Sequence, residues 1–294
     1  MASGNDSGNA AACWLEGRGA AKHIGPVPKG REIFRAAPSP WEEGGEWLLL
    51  NPRMPSGWRG RILETEFPDL PGHVWLASSG TGGSAKLVAL SRAALEAGAA
   101  AVNAHLAATA ADTWINPLPL FHVGGLGIAV RAALSGARWE LFEGWDAARF
   151  ARRAADCGAT LSSLVPAQVH DIVREGLAAP GSLRAVVVGG GALEEGLRAR
   201  AAGLGWPLLP SYGLTEACSQ VATAALGAED FVWLPLLPHF EARVGEGGAL
   251  ELSGPSLLAG WMLFAEGGAA RWEDPKRGGW LRTADRAEVR GREL

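Results

Sequence analysis

Long apolar runs are missing from this 294-residue chain: no stretch of 18 or more apolar residues occurs, so no segment reads as a membrane-spanning helix. The first residues, MASGNDSGNAAACWLEGRG, lack the basic start and apolar middle of a secretory signal. Cysteine is scarce. Cys13, Cys157 and Cys218 are odd in number and far apart, which gives neither a disulfide framework nor a CxxC metal pair. These absences predict a cytoplasmic protein. Basic blocks are also missing, and 27 Lys and Arg stand against 31 Asp and Glu. A binder of nucleic acid by many phosphate contacts is therefore not expected. Two further shortages direct attention to single positions. Lysine occurs only at 22, 29, 86 and 276, and Tyr212 is the single tyrosine beside 13 tryptophans.

Residues 1–72 form an irregular lead-in, rich in Pro and Gly (GPVPKG, APSPWEEGG, NPRMPSGWRG). Only EWLLL (46–50) and RILETEF (61–67) look strand-like there. From residue 73 the pattern changes. Apolar strands are expected at 74–77 and 87–90, separated by a small-residue loop, 78–86. Ser91 is placed to cap an Ala-rich helix to about 108. A strand at 113–115, a Pro-containing loop and an apolar helix at 126–134 follow. Asp146 can cap a helix to about 157, and 160–165 reads as a buried strand. Pro166 opens the next helix from its first turn. A strand at 183–188, a helix at 192–202 and a strand at 208–212 complete the alternation. Strands alternating with helices predict an α/β fold with doubly wound, mostly parallel sheets. After about 225 short strands such as 249–253, with Gly/Pro turns, suggest a short antiparallel β subdomain. In open parallel sheets ligands bind beyond the carboxyl ends of the strands. Loops at 78–86, 189–191 and 213–216 fall there.

The first loop is Ser78-Ser79-Gly80-Thr81-Gly82-Gly83-Ser84-Ala85-Lys86. Glycines let N–H groups converge on an anion, hydroxyls add donors, and an ammonium neutralises charge. A Walker loop needs Gly at 85 and Ser or Thr at 87; Ala85 and Leu87 exclude it. Taken alone, the segment is equally a flexible Gly/Ser linker. In the 211–216 segment, Tyr212 could stack on a base and Thr215 could bond a phosphate. Glu216 could hold Mg²⁺ there. A plain strand-end turn accounts for that segment too. His122 sits in an apolar loop, PLFHVGG, where a lone His is more often structural than catalytic.

Read together and in order, these segments resemble the adenylate-forming superfamily of acyl-CoA synthetases, peptide-synthetase adenylation domains and luciferases. Residues 78–86 are similar to its phosphate loop, 119–125 to the segment with the acyl-gating His, and 188–192 to its adenine-binding turn. Residues 212–216 are similar to the motif whose Tyr contacts adenine and whose Thr-Glu contacts phosphate and magnesium. LELSGPSLLAGW (250–261) and GWLRTAD (279–285) resemble the next two motifs, the second carrying the Asp that binds ribose. The resemblance covers roughly 74–290. Within the superfamily, GGGA and SYGLTEACSQVAT are most similar to o-succinylbenzoate–CoA ligases of menaquinone biosynthesis.

The resemblance implies an AMP-forming acid–thiol ligase that uses ATP, Mg²⁺, a carboxylic acid and coenzyme A. His122, Thr215, Glu216 and Lys86 would be catalytic, with Glu216 the metal ligand. Ser78, Ser79, Gly80, Thr81, Gly82, Gly83, Lys86, Gly189, Gly190, Gly191, Ala192, Tyr212, Gly213, Thr215 and Asp285 would hold the nucleotide. His122, Leu214, Ser219 and Gln220 are candidates to line the acid pocket. Family members are often dimers, so a homodimer is admitted. Gly82 stands where a second Thr is usual, which implies weaker or differently shaped phosphate binding. Ala284 replaces a Gly and would clash if that position needs positive φ.

Residues 73–294 are expected to form the AMP-binding large catalytic domain, and the small swivelling domain with its Lys is expected to be absent. No Lys follows Lys276, which reads as a solvated surface residue. Adenylation by this chain alone should then be slowed and thioester formation weak. The alternatives are another aryl or medium-chain acyl-CoA synthetase, or a nucleotide-binding remnant without catalysis. A Ser or Cys hydrolase has little support, because no G-x-S-x-G segment occurs.

Overall fold

The computed structural model describes residues 47–78, 86–228, 231–264 and 268–294, and the backbone of 32–33, 79 and 85. With elements numbered in chain order, the second of three sheets is the doubly wound one. It contains β5 (Thr113–Asn116), β6 (Arg138–Leu141), β7 (Leu161–Leu164), β8 (Ala185–Val188), β9 (Leu208–Leu214) and β10 (Ser219–Thr223), in the order β10-β9-β8-β7-β5-β6. All its pairings are parallel except β9 with β10. Every residue of β5, β7 and β8 is buried, as expected for parallel strands covered on both faces. Side chains alternate between two cores. Trp114 and Val187 join one with Val102 and Ile128, while Ile115, Val186 and Val188 join the other with Phe150 and Ile172. Phe150 is fully buried, so truncating it to Ala should cost about 3–5 kcal/mol.

The helices start where the sequence provides caps. Ser91 Oγ accepts from Ala94 N at 3.1 Å at the head of α2 (Arg92–His105), and Asp146 accepts from Arg149 N at 2.7 Å at the head of α4 (Ala147–Asp156). Pro166 is the first residue of α5 (Pro166–Arg174). The apolar helix α3 (Val123–Ser135) starts three residues earlier than the sequence suggests and stops at Gly136, whose φ is 71°. The helix expected at 192–202 is α6 (Glu195–Gly203).

The first sheet is mixed. It orders β1 (Glu32–Ile33), β2 (Trp47–Leu49), β3 (His73–Ser79), β4 (Ala85–Ser91), β13 (Gly260–Phe264) and β14 (Ala270–Glu273). The third is antiparallel, β11 (Glu241–Val244), β12 (Ala249–Ser253) and β15 (Leu281–Arg286), and is the expected late β subdomain. Three local readings change. Residues 61–67 are not a strand: most lie in α1 (Ser56–Glu64), where Ile62 is buried beside Trp75, Met262 and Phe264. Two adjacent apolar residues satisfy either period, and tertiary burial decided for the helix. β6 leaves no mark in the sequence pattern, because it is a four-residue edge strand with no buried residue. β3 and β4 form an antiparallel hairpin whose pairing runs to Ser79 and Ala85. The segment between the strands is therefore only Gly80, Thr81, Gly82, Gly83 and Ser84, which lies outside the described residues.

Candidate active site

Lys86 stands at the loop end of the β3–β4 hairpin, in register with Ser78 on one side and Leu263 on the other. Its ammonium contacts a carboxylate oxygen of Glu216 and lies 4.3 Å from the ring centroid of Trp261. Glu216 belongs to a single 3-10 turn, Thr215–Ala217, after β9. Both groups are largely withdrawn from water, with side-chain exposures of 18% for Lys86 and 9% for Glu216. Ion pairing offsets the desolvation of each, and removing one partner would leave the other costly.

The chain after Glu216 reverses into β10 through two residues in the left-handed region, Cys218 (φ 55°) and Ser219 (φ 101°). Such φ values are strained for side-chain-bearing residues and persist where surrounding packing imposes them. Gly213 is required by close approach: a Cβ there would lie 1.9 Å from the Ser219 carbonyl oxygen.

Tyr212 and Asp285 meet across the second and third sheets, the phenol donating to Asp285 Oδ2 at 2.7 Å. Burial, reinforced by the Asp285 carboxylate, pushes the phenol pKa up. Ala284 lies within extended β15, so its β-carbon meets no conformational obstacle. Gly189, Gly190, Gly191 and Ala192 follow β8 beside the end of β9. A Cβ on Gly189 would sit 3.5 Å from the Ser211 carbonyl, and Gly190 has φ 77°. The turn residues 190–192 are exposed.

His122 stands at the N-cap of α3, exposed and packed against Phe121. Among the described residues, no hydrogen bond or ion pair joins it to Lys86 or Glu216. Its neighbours Phe121 and Val123 pack on the same core as Tyr212, Leu214 and Trp261. Buried Asn116 holds the His122 loop by donating to Gly125 O at 3.0 Å and accepting from Leu118 N at 3.0 Å.

Arg131 was not foreseen. It is 2% exposed on α3 and its burial lowers its pKa to about 10. Nη2 donates to Ser219 Oγ at 3.3 Å. With the Gln220 amide oxygen turned toward it, Nη1 and Nη2 donate to that oxygen at 3.1 and 3.0 Å. Among the described residues no carboxylate pairs with Arg131, and its Nε has no partner. The signal lay in the sequence: Arg131 is the one charge in VGGLGIAVRAALS. A charge in a helix apolar all round needs a buried partner or a ligand. Lys276 is not the solvated residue expected. Its ammonium donates to Leu258 O at 2.7 Å and Ala259 O at 3.2 Å and lies 2.8 Å from Asp274 Oδ1.

The chain is similar to proteins of known family and structure. The family model described as AMP-binding enzyme matches residues 74–253, more than half of the chain. A 2-succinylbenzoate–CoA ligase of Bacillus licheniformis is 31% identical over 194 residues, covering 59% of this chain and 38% of the relative. Its namesake from Bacillus cereus is 30% identical over 223 residues, covering 71% and 45%. Among solved structures, an arginine-to-lysine variant of E. coli MenE with bound OSB-AMS superposes with a TM-score of 0.70 at 25% identity, covering 85% of this chain and 60% of that one. The chain thus spans less than half the length of these curated relatives. The matched span contains Lys86, His122, the 189–192 turn, Tyr212 and Glu216, and this chain belongs to the AMP-binding enzyme family.

Proposed function

We propose that this chain acts as the large domain of an ATP-dependent acid–CoA ligase whose acid is o-succinylbenzoate. The observation that carries the reading is the buried Lys86–Glu216 pair beside the Tyr212–Asp285 contact, at the carboxyl ends of β8 and β9. A cation, a carboxylate, an aromatic and a second carboxylate are the groups needed for the phosphates, Mg²⁺, the base and the ribose of ATP. The donor set fits. Glu216 would exchange the Lys86 ammonium for Mg²⁺, and the freed ammonium would turn to the phosphates. Bound Mg²⁺ supplies neutralisation of phosphate charge. Tyr212 and the 189–192 turn would flank adenine, and Asp285 would accept from the ribose hydroxyls. Ser78, Ser79 and the segment 80–83 would wrap the phosphates.

In the reaction, a carboxylate oxygen of the acid attacks the α-phosphorus, the bond from that phosphorus to the bridging oxygen breaks, and pyrophosphate leaves. Two anions must approach each other, so positioning and electrostatic neutralisation lower the barrier. The coenzyme A thiolate then attacks the acyl carbon and AMP departs. His122, at the head of α3, would gate the acyl end. A cytoplasmic location and a homodimer belong to the same reading.

Arg131 favours a dicarboxylic acid over benzoate or octanoate. A buried guanidinium lacking a carboxylate partner among the described residues would gain most from an acid whose second carboxylate remains free. The test is pyrophosphate release by this protein with o-succinylbenzoate, benzoate and octanoate. Release with o-succinylbenzoate supports the reading. Release only with benzoate or octanoate rejects that acid in favour of another acyl-CoA synthetase.

A further inference from the structure

The chain has four lysines, and Lys276, in the turn between β14 and β15, has no place in the reaction just described. All three of its ammonium hydrogens are matched by oxygens: Leu258 O at 2.7 Å, Ala259 O at 3.2 Å and Asp274 Oδ1 at 2.8 Å. Asp274 is fixed in turn by accepting from Lys276 N at 3.0 Å. A side-chain exposure of 22% is low for a lysine on a turn.

The two carbonyls belong to a short strap whose N–H groups point elsewhere. Leu258 N donates to Glu216 O at 2.8 Å, and Ala259 N donates to Ala89 O at 2.9 Å on β4. The strap then becomes β13. Gly260, Trp261, Met262 and Leu263 pair with Ala89, Val88, Leu87 and Lys86 in turn, and Trp261 places its ring under the Lys86 ammonium. At Gly260 a Cβ would lie 2.5 Å from the Trp272 ring, so the strap is seated closely on β14. One peptide segment thus carries both the backbone hold on Glu216 and the strand partner of Lys86. Lys276 grips that segment from its other edge.

We propose that Lys276 is a positioning residue for the Lys86–Glu216 pair, acting through the Leu258 and Ala259 carbonyls. Without the ammonium these two carbonyls lose a charged donor in a confined place, and the strap can shift. Any shift moves Glu216 and Lys86 relative to one another, because each is tied to a different residue of it, Glu216 to Leu258 and Lys86 to Leu263. The inference rests on the ATP-binding reading only for its effect on nucleotide affinity. Its effect on Lys86 stands apart from that reading.

The experiment is ¹⁵N–¹H correlation of the lysine ammonium groups without nucleotide, with ATP·Mg titration of the same samples. In wild type, the Lys86 and Lys276 ammonium protons should exchange slowly. Lys276→Met should remove the slow exchange of the Lys86 signal and weaken ATP·Mg binding about tenfold, the scale for loss of a supporting contact around a ligand site. Lys276→Arg, which keeps a cation able to reach the carbonyls, should restore most of both. If Lys276→Met fails to fold, Asp274→Asn, which loosens the ammonium without removing it, should accelerate Lys86 exchange in part. An unchanged Lys86 signal and affinity in Lys276→Met overturns the proposal, and so does an unchanged Lys86 signal in Asp274→Asn. Wild type that binds no ATP·Mg, yet shows the Lys86 change in Lys276→Met, overturns the proposed function and leaves this inference standing.

Discussion

Lys86 on β4 of the first sheet and Glu216 in the 3-10 turn after β9 meet in a largely buried contact, capped on the ammonium side by Trp261 at 4.3 Å. In the absence of ligand each neutralises the other. The pair therefore keeps a cation and a carboxylate at one point without leaving either charge alone in a dry place. Binding of an Mg²⁺-phosphate would exchange partners rather than create new charge.

Gly213 should tolerate no side chain. A β-carbon at this position would stand 1.9 Å from the Ser219 carbonyl oxygen, which forces the β9–β10 reversal to move. Gly213→Ala should lose about 1–3 kcal/mol of stability and displace Glu216 with it. Denaturant unfolding together with ATP·Mg titration reads both effects. A variant with unchanged stability and affinity would refute the packing argument.

Tyr212→Phe keeps the aromatic face and removes the 2.7 Å hydrogen bond to Asp285. The expected cost is about 1 kcal/mol, with a modest fall in nucleotide affinity. The folded-state phenol pKa is raised, so its contribution is fully present below the ordinary tyrosine value of about 10 and disappears as pH climbs through the folded value. Wild-type stability should therefore decline with alkaline pH more steeply than that of the Phe variant. Parallel pH–stability curves would contradict the assignment.

Arg131→Met replaces a buried charge lacking a carboxylate partner by an apolar side chain of similar length. The ligand-free protein should be as stable as wild type or more stable, by up to about 4 kcal/mol. Activity on a dicarboxylic acid should fall by roughly 100-fold in kcat/KM, while activity on a monocarboxylic acid changes little. Equal losses on both acids would remove Arg131 from recognition of the second carboxylate.

Asp112, at the end of the second sheet opposite the 189–192 turn, concerns stability alone. Burial by itself would raise its pKa, but hydrogen bonds from Arg184, Thr160 and Thr109 N–H hold it at about 2. A depressed folded-state pKa contributes stability above the ordinary value near 3.8 that is lost as pH falls toward 2. Asp112→Asn should remove about 2 kcal/mol at neutral pH and flatten the acid limb between pH 4 and 2, measured by urea unfolding. An unchanged acid limb would show that another carboxylate governs it.

The parts of the fold and site readable beforehand share a physical cause: their signals are local. Ser91, Asp146 and Pro166 announce helix starts through groups within three residues, and the buried parallel strand β8, AVVV, reads as an unbroken apolar run. Lys86 and Tyr212 stood out because their residue types are rare, and Glu216 because it follows Tyr212 in one short segment. Arg131 and Lys276 act through partners distant in sequence, Ser219 and Leu258, so only folding discloses what they hold. The 61–67 segment fits a helix or a strand by pattern, and its packing against β3 and β13 decided the matter.

The most direct test of the central claim is an ATP·Mg titration of wild type against Lys86→Ala, with Glu216→Gln as a second arm. Saturable binding by wild type that weakens at least tenfold in Lys86→Ala is the predicted result, since one charged contact to phosphate is removed. Equal affinity in wild type and Lys86→Ala would contradict the account.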